Sequence, residues 1–362
     1  MRTRVVSQQL KAVVHLQRAS HRPFSSSHTR RSSQNPKAIA DSFLSKFAKG
    51  QEFVRKQLID PNQLRLFSLT LDRDQIWTGT SSSSLEQEEP KEGTPVPAGY
   101  HLAYFTPAQL PGILGLDGTD ASFNPNSPFT RRMWAGGSVH WPGADAGKSS
   151  KHYLRVGDIA TEVTKVLSCE PKTIKKTGES MLVVGIVKEF RDSKDNLCVV
   201  DKRNWVFREA LDLSKPPKIP IKPAELSQAE LDQQAQGMIV RNFNRDVVQL
   251  FRMSALTFNA HRIHYDLPWA TNVEGHRNVV VHGPLNQISM LDLWRDEMVK
   301  QGKSDNGIVY PKELFYRATS PVYGGEPYRI LMPADAPSNS QADMQVVSND
   351  GTVCMKATMH SW

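Results

Sequence analysis

The sequence predicts an α+β chain in which antiparallel sheet wraps a long helix, with the strand-rich unit present twice, and three observations lead there. Segments of alternating apolar and polar residues recur in two stretches, Tyr100 to about Leu211 and 238 to 362. One long helix, starting after Gly283, interrupts them and carries apolar residues around much of its circumference. Both stretches share their punctuation, a Gly-acid turn between strands (Gly157-Asp158, Gly325-Glu326) and a long closing hairpin.

Taken in order, residues 1–36 form a leader. Residues 1–40 hold six Arg, two Lys and no acid, the first being Asp41. This Arg- and Ser-rich, acid-free composition is that of a mitochondrial transit peptide, with cleavage expected between about 24 and 36 and delivery to the matrix. It also explains the formal charge of +8: without those eight cations, 37 basic residues face 37 acidic ones. A neutral mature chain argues against a nucleic-acid partner. The longest useful apolar run, Met181 to Val187, is far short of the ~18 residues of a membrane span. Three widely spaced cysteines fit neither a disulfide framework nor a C-x-x-C metal site.

Residues 41–77 read as helix-forming. GTSSSSLEQEEPKEGTPVPAG, at 79–99, reads as a mobile insertion outside the core. The first half, 41–211, then carries YLRVGDIATEVTKVL, SMLVVGIVKEFRD and LCVVDKRNWVFRE, the last two joined across Ser193–Asn196 as a hairpin. Residues 212–237, with four prolines between Ser214 and Glu225, form the expected linker. The second half, 238–362, opens on VVQLFRMSALTF, read as an apolar strand. It closes on FYRATSPVYGGEPYRIL, MQVVS and TVCMKATM, with Asn349-Asp350-Gly351 as a hairpin turn. Pro284 at the first helical position and Gly302 past the end bound a helix of ~18 residues, about 27 Å long. A helix apolar at Leu285, Ile288, Met290, Leu291, Leu293, Trp294, Met298 and Val299 suits a curved sheet that surrounds it. Sheet curled around a helix is the hotdog arrangement, so two copies give a double hotdog.

The chemistry concentrates in 251–294. Asn259, His261, His264 and Asp266 follow an apolar segment, and Val279 to Val281 lead into His282-Gly283 at the helix start. A helix N-terminus offers unpaired N–H groups and positive potential to an oxygen that gains charge. An imidazole can exchange a proton near neutrality. A base and an oxyanion site are what proton abstraction beside a carbonyl requires.

This passage resembles the MaoC-type hydratase/dehydratase signature, in which an acid, an Asn and a His follow a strand and precede a His-Gly turn at the hotdog helix. SALTFNAHRIHYD (254–266) and VVHGPL (280–285) resemble the hydroxyacyl-thioester dehydratase type 2 and mesaconyl-CoA hydratase branch. YHLAYF (100–105), LGLDG (114–118), RRMWAGGSVHW (131–141) and NWVFRE (204–209) resemble that branch's first half. The resemblance implies a hydro-lyase that dehydrates (3R)-3-hydroxyacyl thioesters reversibly. With the leader, it implies the fungal-type enzyme of mitochondrial type II fatty-acid synthesis, acting on acyl carrier protein or CoA thioesters without cofactor or metal. It places His264 at the catalytic histidine, His261 at the Asn position, and the Gly283 N–H on the thioester carbonyl.

Asn259 departs from the pattern, standing where the family has its catalytic Asp, and an amide cannot transfer a proton at neutral pH. The expected scheme therefore has His264 remove the α-proton and return it to the departing hydroxyl, with Asn259 holding that hydroxyl. His261, His282, Asp266, Arg131, Arg132 and Trp134 complete the expected substrate-contacting set, Asp266 having a helix cap as its other reading and His282 a structural one. H-x-x-H at 261–264 lacks the Glu of a zinc protease, so no metal is expected. Two rival functions are a hydratase of short dicarboxylyl-CoA such as mesaconyl-C4-CoA, and a non-catalytic thioester binder. Two halves in one chain allow a monomer, and a homo-oligomer stays open.

Overall fold

The computed structural model describes residues 35–47, 50–79, 83–145, 147, 150–175 and 177–362. The leader reading falls almost wholly outside them. Residues 35–362 form one compact body. Its elements are α1 (Pro36–Lys46), β1 (Phe53–Leu58), α2 (Pro61–Thr70), β2 (Arg131–His140), β3 (Ile159–Thr173), β4 (Ser180–Arg191) and β5 (Leu197–Arg208). There follow α3 (Gln228–Gln234), β6 (Met238–Phe243), α4 (Val247–Leu256), α5 (Leu267–Asn272), α6 (Gly283–Lys300), β7 (Glu313–Ala318), β8 (Tyr328–Pro333), β9 (Gln341–Ser348) and β10 (Val353–His360).

All ten strands join one antiparallel sheet in the order β1-β3-β4-β5-β2-β7-β10-β9-β8-β6. Read outward from the β2–β7 seam, the halves have the same order, with β1 to β5 answering β6 to β10. The repeat expected from punctuation is thus a repeat of topology: Gly157 precedes β3 and Gly325 precedes β8, both with positive φ. The two expected sheets are one continuous sheet, because β2 pairs with β7 from Gly136↔Arg317 to His140↔Glu313.

In the second half α6 is buried on nearly every side, including its polar Asn286, Gln287, Ser289, Asp292, Arg295 and Asp296. The three charged ones are matched by partners. Tyr100 donates to Asp292 at 3.0 Å, Arg295 Nε lies 2.8 Å from Asp292, and Asp296 accepts from Arg73, Thr78 and Arg241. Among the described residues between β1 and β2 the longest helix is α2, and a 3-10 turn, Tyr100–Ala103, follows it. That turn and α1 cover opposite ends of the same sheet face. α1 packs Ile39, Ala40 and Phe43 on Cys169, Leu182, Val184, Ile186, Trp205 and Phe207. Tyr100, Phe105 and Phe190 belong to the main core around α6.

Three expectations need correction. VVQLFRMSALTF is not a strand but α4: Asp246 caps it by accepting from Gln249 N, and its buried residues Leu250, Met253 and Ser254 follow helical spacing. Residues 41–77 are not all helical, since β1 pairs with β3 from Phe53↔Thr164 to Leu58↔Ile159. The described part of 79–99 is not a loose insertion, because Leu85, Val96 and Ala98 are core residues and Trp77 Nε1 donates to Pro95 O at 2.9 Å. Among the described residues, no helix is long and apolar enough to cross a membrane.

Candidate active site

An open cleft of about 1760 Å³ runs from the head of α6 over the first half's sheet face. It exceeds the ~300–1,000 Å³ of a typical small-molecule pocket and has room for a ligand with a long arm. His261, His264, His282, Gly283, Asn259, Arg131, Arg132 and Trp134 all line it. Asp266 does not. Its carboxylate caps α5 by accepting from Trp269 N at 3.0 Å and pairs with Arg262 at 2.7 Å. This corrects its place in the substrate-contacting set, because both oxygens are occupied by local geometry.

His264 ends a 3-10 turn, Arg262–His264, held between α4 and the 279–281 segment. Val280 N donates to Ile263 O, and His264 Nδ1 lies 2.7 Å from Val280 O. A carbonyl only accepts, so Nδ1 carries the hydrogen and Nε2 keeps the lone pair. Burial, with His261 adding to it, lowers the His264 pKa to about 3. The ring is therefore neutral near pH 7 and competent as a base through Nε2.

His282 is the N-cap residue of α6 and supports His264. The two rings stack with centroids 3.6 Å apart, and His282 Nε2 lies 2.9 Å from Ser254 Oγ on α4. At 1% exposure it is a platform with its pKa held well below 6.5 by burial. Gly283, the first residue of α6, presents one of the helix's intrinsically unpaired N–H donors, and the next residue, Pro284, has none to offer. Asn286, one turn on, lines the cleft with its Oδ1 buried and without a partner among the described residues.

Asn259 leaves the end of α4 and accepts through Oδ1 from His261 N at 3.2 Å, which leaves its amide N–H₂ free to donate. His261 is set at right angles to His264, centroids 5.4 Å apart. Burial, then Arg132, His282, His276 and Arg131, push its pKa down to about 3. Arg132 lies over Trp205 and 3.6 Å from Asp120, and Arg131 stands 4.0 Å from Glu274. Desolvation lowers both guanidinium pKa values.

The residues missed in the sequence are Asp117, Ser254, Glu274 and Asn286. Asp117 sits in LGLDG, a string already noticed for its resemblance but given no role. Its Oδ2 lies 3.7 Å from His261 Nε2. Asp117, His261 and Glu274 bring donor atoms within 4.8 Å of one another, a spacing that could hold a cation. The guanidiniums of Arg131 and Arg132 border the same group, so its charge is already answered and we assign no metal.

The profile of the family described as hydroxyacyl-thioester dehydratase type 2 matches residues 99–324. Mesaconyl-C(4)-CoA hydratase of Chloroflexus aurantiacus is 29% identical over 272 residues, covering 75% of this chain and 85% of that protein. The mitochondrial hydroxyacyl-thioester dehydratase type 2 of Schizosaccharomyces pombe is 30% identical over 252 residues, 66% of this chain and 78% of that one. Among solved structures, a MaoC-like dehydratase from Phytophthora capsici superposes with a TM-score of 0.58 at 13% identity, over 88% of this chain and 98% of that one. That last likeness concerns the fold. The profile spans more than half of the sequence and includes both the LGLDG loop and the His264–Gly283 cluster, and so the chain belongs to the hydroxyacyl-thioester dehydratase type 2 family.

Proposed function

We propose that this hydro-lyase removes water reversibly from (3R)-3-hydroxyacyl thioesters to give trans-2-enoyl thioesters. The observation that carries the reading is the hydrogen bond from His264 Nδ1 to Val280 O, which leaves Nε2 as a lone-pair base in the cleft that Gly283 also lines. His264 Nε2 takes the C2 proton. The Gly283 N–H, at the positive end of α6, stabilises the charge that builds on the thioester oxygen. The Asn259 amide holds the C3 hydroxyl as that oxygen takes a proton from the cleft histidines, its bond to carbon breaks, the C2=C3 double bond forms and water leaves. The space beside the short 3-10 turn of the first half receives the acyl chain, and Arg131 and Arg132 face the pantetheine arm of the carrier.

Acyl carrier protein as that carrier, the mitochondrial matrix as the compartment and type II fatty-acid synthesis as the setting are part of the proposal. The composition of residues 1–36 and the mitochondrial yeast relative support them. One chain contains both halves and every residue named, so a monomer suffices. The test is His264→Ala assayed in both directions with 3-hydroxyacyl and enoyl thioesters, where turnover should fall by about 10²-fold or more. Undiminished turnover removes the assignment.

A second reading has one observation behind it. The cleft floor includes Lys188 and Arg203, bonded to Glu162 at 2.9 Å and Asp201 at 2.6 Å. Such a floor could meet a distal carboxylate, as a short dicarboxylyl-CoA would present, and the Chloroflexus relative acts on a CoA thioester of that kind by name. Matched acyl-carrier-protein and CoA substrates, with and without that carboxylate, separate the two. Binding of an enoyl thioester without hydration would establish the non-catalytic reading.

A further inference from the structure

The geometry points to Asp117, carried by the first half, as the carboxylate that works through His261 in place of the acid missing at position 259. This rests on the cleft being the dehydration site.

Three observations single it out. Asp117 is 92% buried, and its two oxygens differ in what they meet. Oδ1 accepts both Thr119 N at 3.0 Å and Thr119 Oγ1 at 2.7 Å, which shapes the loop. Oδ2 is spare and lies 3.7 Å from His261 Nε2. That nitrogen is itself buried and has no hydrogen-bond partner among the described residues. A buried donor left unpaired costs about 1–3 kcal/mol, so a carboxylate just beyond bonding distance has an evident use. Catalytic hydrogen bonds that are long in the empty enzyme commonly tighten when substrate arrives.

The loop is also clamped to the segment that carries the histidines. Arg262 N donates to Asp117 O at 2.8 Å. Gly118, at φ +82°, has no room for a side chain, since a Cβ there would stand 2.0 Å from Ala260 O. Asp117 thus keeps a fixed place beside His261 although it comes from the other half of the sheet.

The chemistry follows from the pairing. Asp117 holds the proton on His261 Nε2, so Nδ1 exchanges a proton with the oxygen on C3. In hydration, water attacks C3 as His261 Nδ1 takes its proton, and protonated His264 delivers a proton to C2. In dehydration His264 Nε2 takes the C2 proton, the C3–O bond breaks, and His261 returns its proton so that water leaves. Each turnover moves one proton from one ring to the other, in opposite senses for the two directions, and exchange with water in the open cleft resets the pair. The surroundings otherwise oppose a charged His261: Arg132 and Arg131 from β2, with His282 and His276, press against it, while Asp120 faces Arg132 and Glu274, within 4.8 Å of His261, is held by Arg131. Asp117 is the anion that answers it directly, acting as a positioning residue.

The experiment is the full-length protein with Asp117→Asn and, separately, Asp117→Ala, assayed for hydration of a trans-2-enoyl-CoA. The Asn variant can keep the Thr119 bonds while losing the charge. The expected result is a kcat lower by about 10- to 100-fold, with KM within about twofold and an unchanged thermal midpoint. Added formate should restore part of the rate to Asp117→Ala. The acid limb of kcat should move to higher pH relative to wild type in neither variant, since the anion favours the protonated ring and its loss lowers that pKa. A kcat within twofold of wild type in Asp117→Asn overturns the proposal, as does a loss matched entirely by unfolded protein in circular dichroism. Failure of the underlying reading looks different: the wild type would not hydrate the substrate, or His264→Ala would do so at full rate.

Discussion

The indole of Trp134 occupies the space a side chain at Gly283 would need: a Cβ there would stand 2.3 Å from Trp134 Cε3 and 2.7 Å from Cζ3. Trp134 cannot swing aside freely, because it stacks on Tyr316 at 4.5 Å across the β2–β7 seam. Glycine at the head of α6 is thus demanded by the seam between the halves. Gly283→Ala should cost about 1–3 kcal/mol through overpacking and displace the N–H proposed to face the thioester. A urea midpoint and kcat measured together check this. Both should fall, and Trp134→Ala in the same chain should relieve most of the added loss of stability. A Gly283→Ala protein with wild-type midpoint and rate contradicts it.

Acid should destabilise the protein through its buried imidazoles. His261 and His264 have folded pKa values of about 3, against 6.5 when solvated, and His282 shifts the same way, with burial the largest cause each time. The unfolded chain therefore binds protons that the folded chain refuses. Stability tied to these groups is fully present above about pH 6.5 and is lost as pH falls toward 3, at up to about 1.4 kcal/mol per pH unit for each ring. Denaturation midpoints at pH 7.5, 6 and 5 should decline in that order, and NMR of the ring protons should show no titration of His264 near pH 6.5. A flat stability profile, or a His264 midpoint near 6.5, would count against the buried neutral cluster.

Asp296 separates stability from catalysis. It accepts from Arg73 at 2.7 and 2.9 Å, Thr78 at 2.8 Å and Arg241 at 2.9 Å. It lies 13 residues beyond Gly283, about 20 Å along the helix. Asp296→Ala leaves two guanidiniums without their carboxylate and should cost about 3–5 kcal/mol. The fraction that stays folded should keep wild-type KM. Calorimetry alongside steady-state kinetics measures both, and a changed KM at full folding would show that the ionic network reaches the site.

Local pattern determined a good part of this protein. Alternation along 180–192, 197–209 and 353–359 made strands, and the Pro284 and Gly302 punctuation bounded α6, because side-chain period and turn chemistry are properties of neighbouring residues. The same locality brought His264, His282 and Gly283 to notice, all within twenty residues. It failed where the period is ambiguous. Val247, Val248, Leu250, Phe251 and Met253 read as a strand, yet Asp246 caps a helix whose Val247, Val248 and Phe251 remain exposed. Only the joined sheet decided the rest. Asp117 meets His261 across 144 residues of sequence, and Trp134 meets Gly283 across the seam, because backbone pairing brings these segments together through space. No periodicity along the chain encodes such an encounter; it exists only once both five-stranded halves are joined.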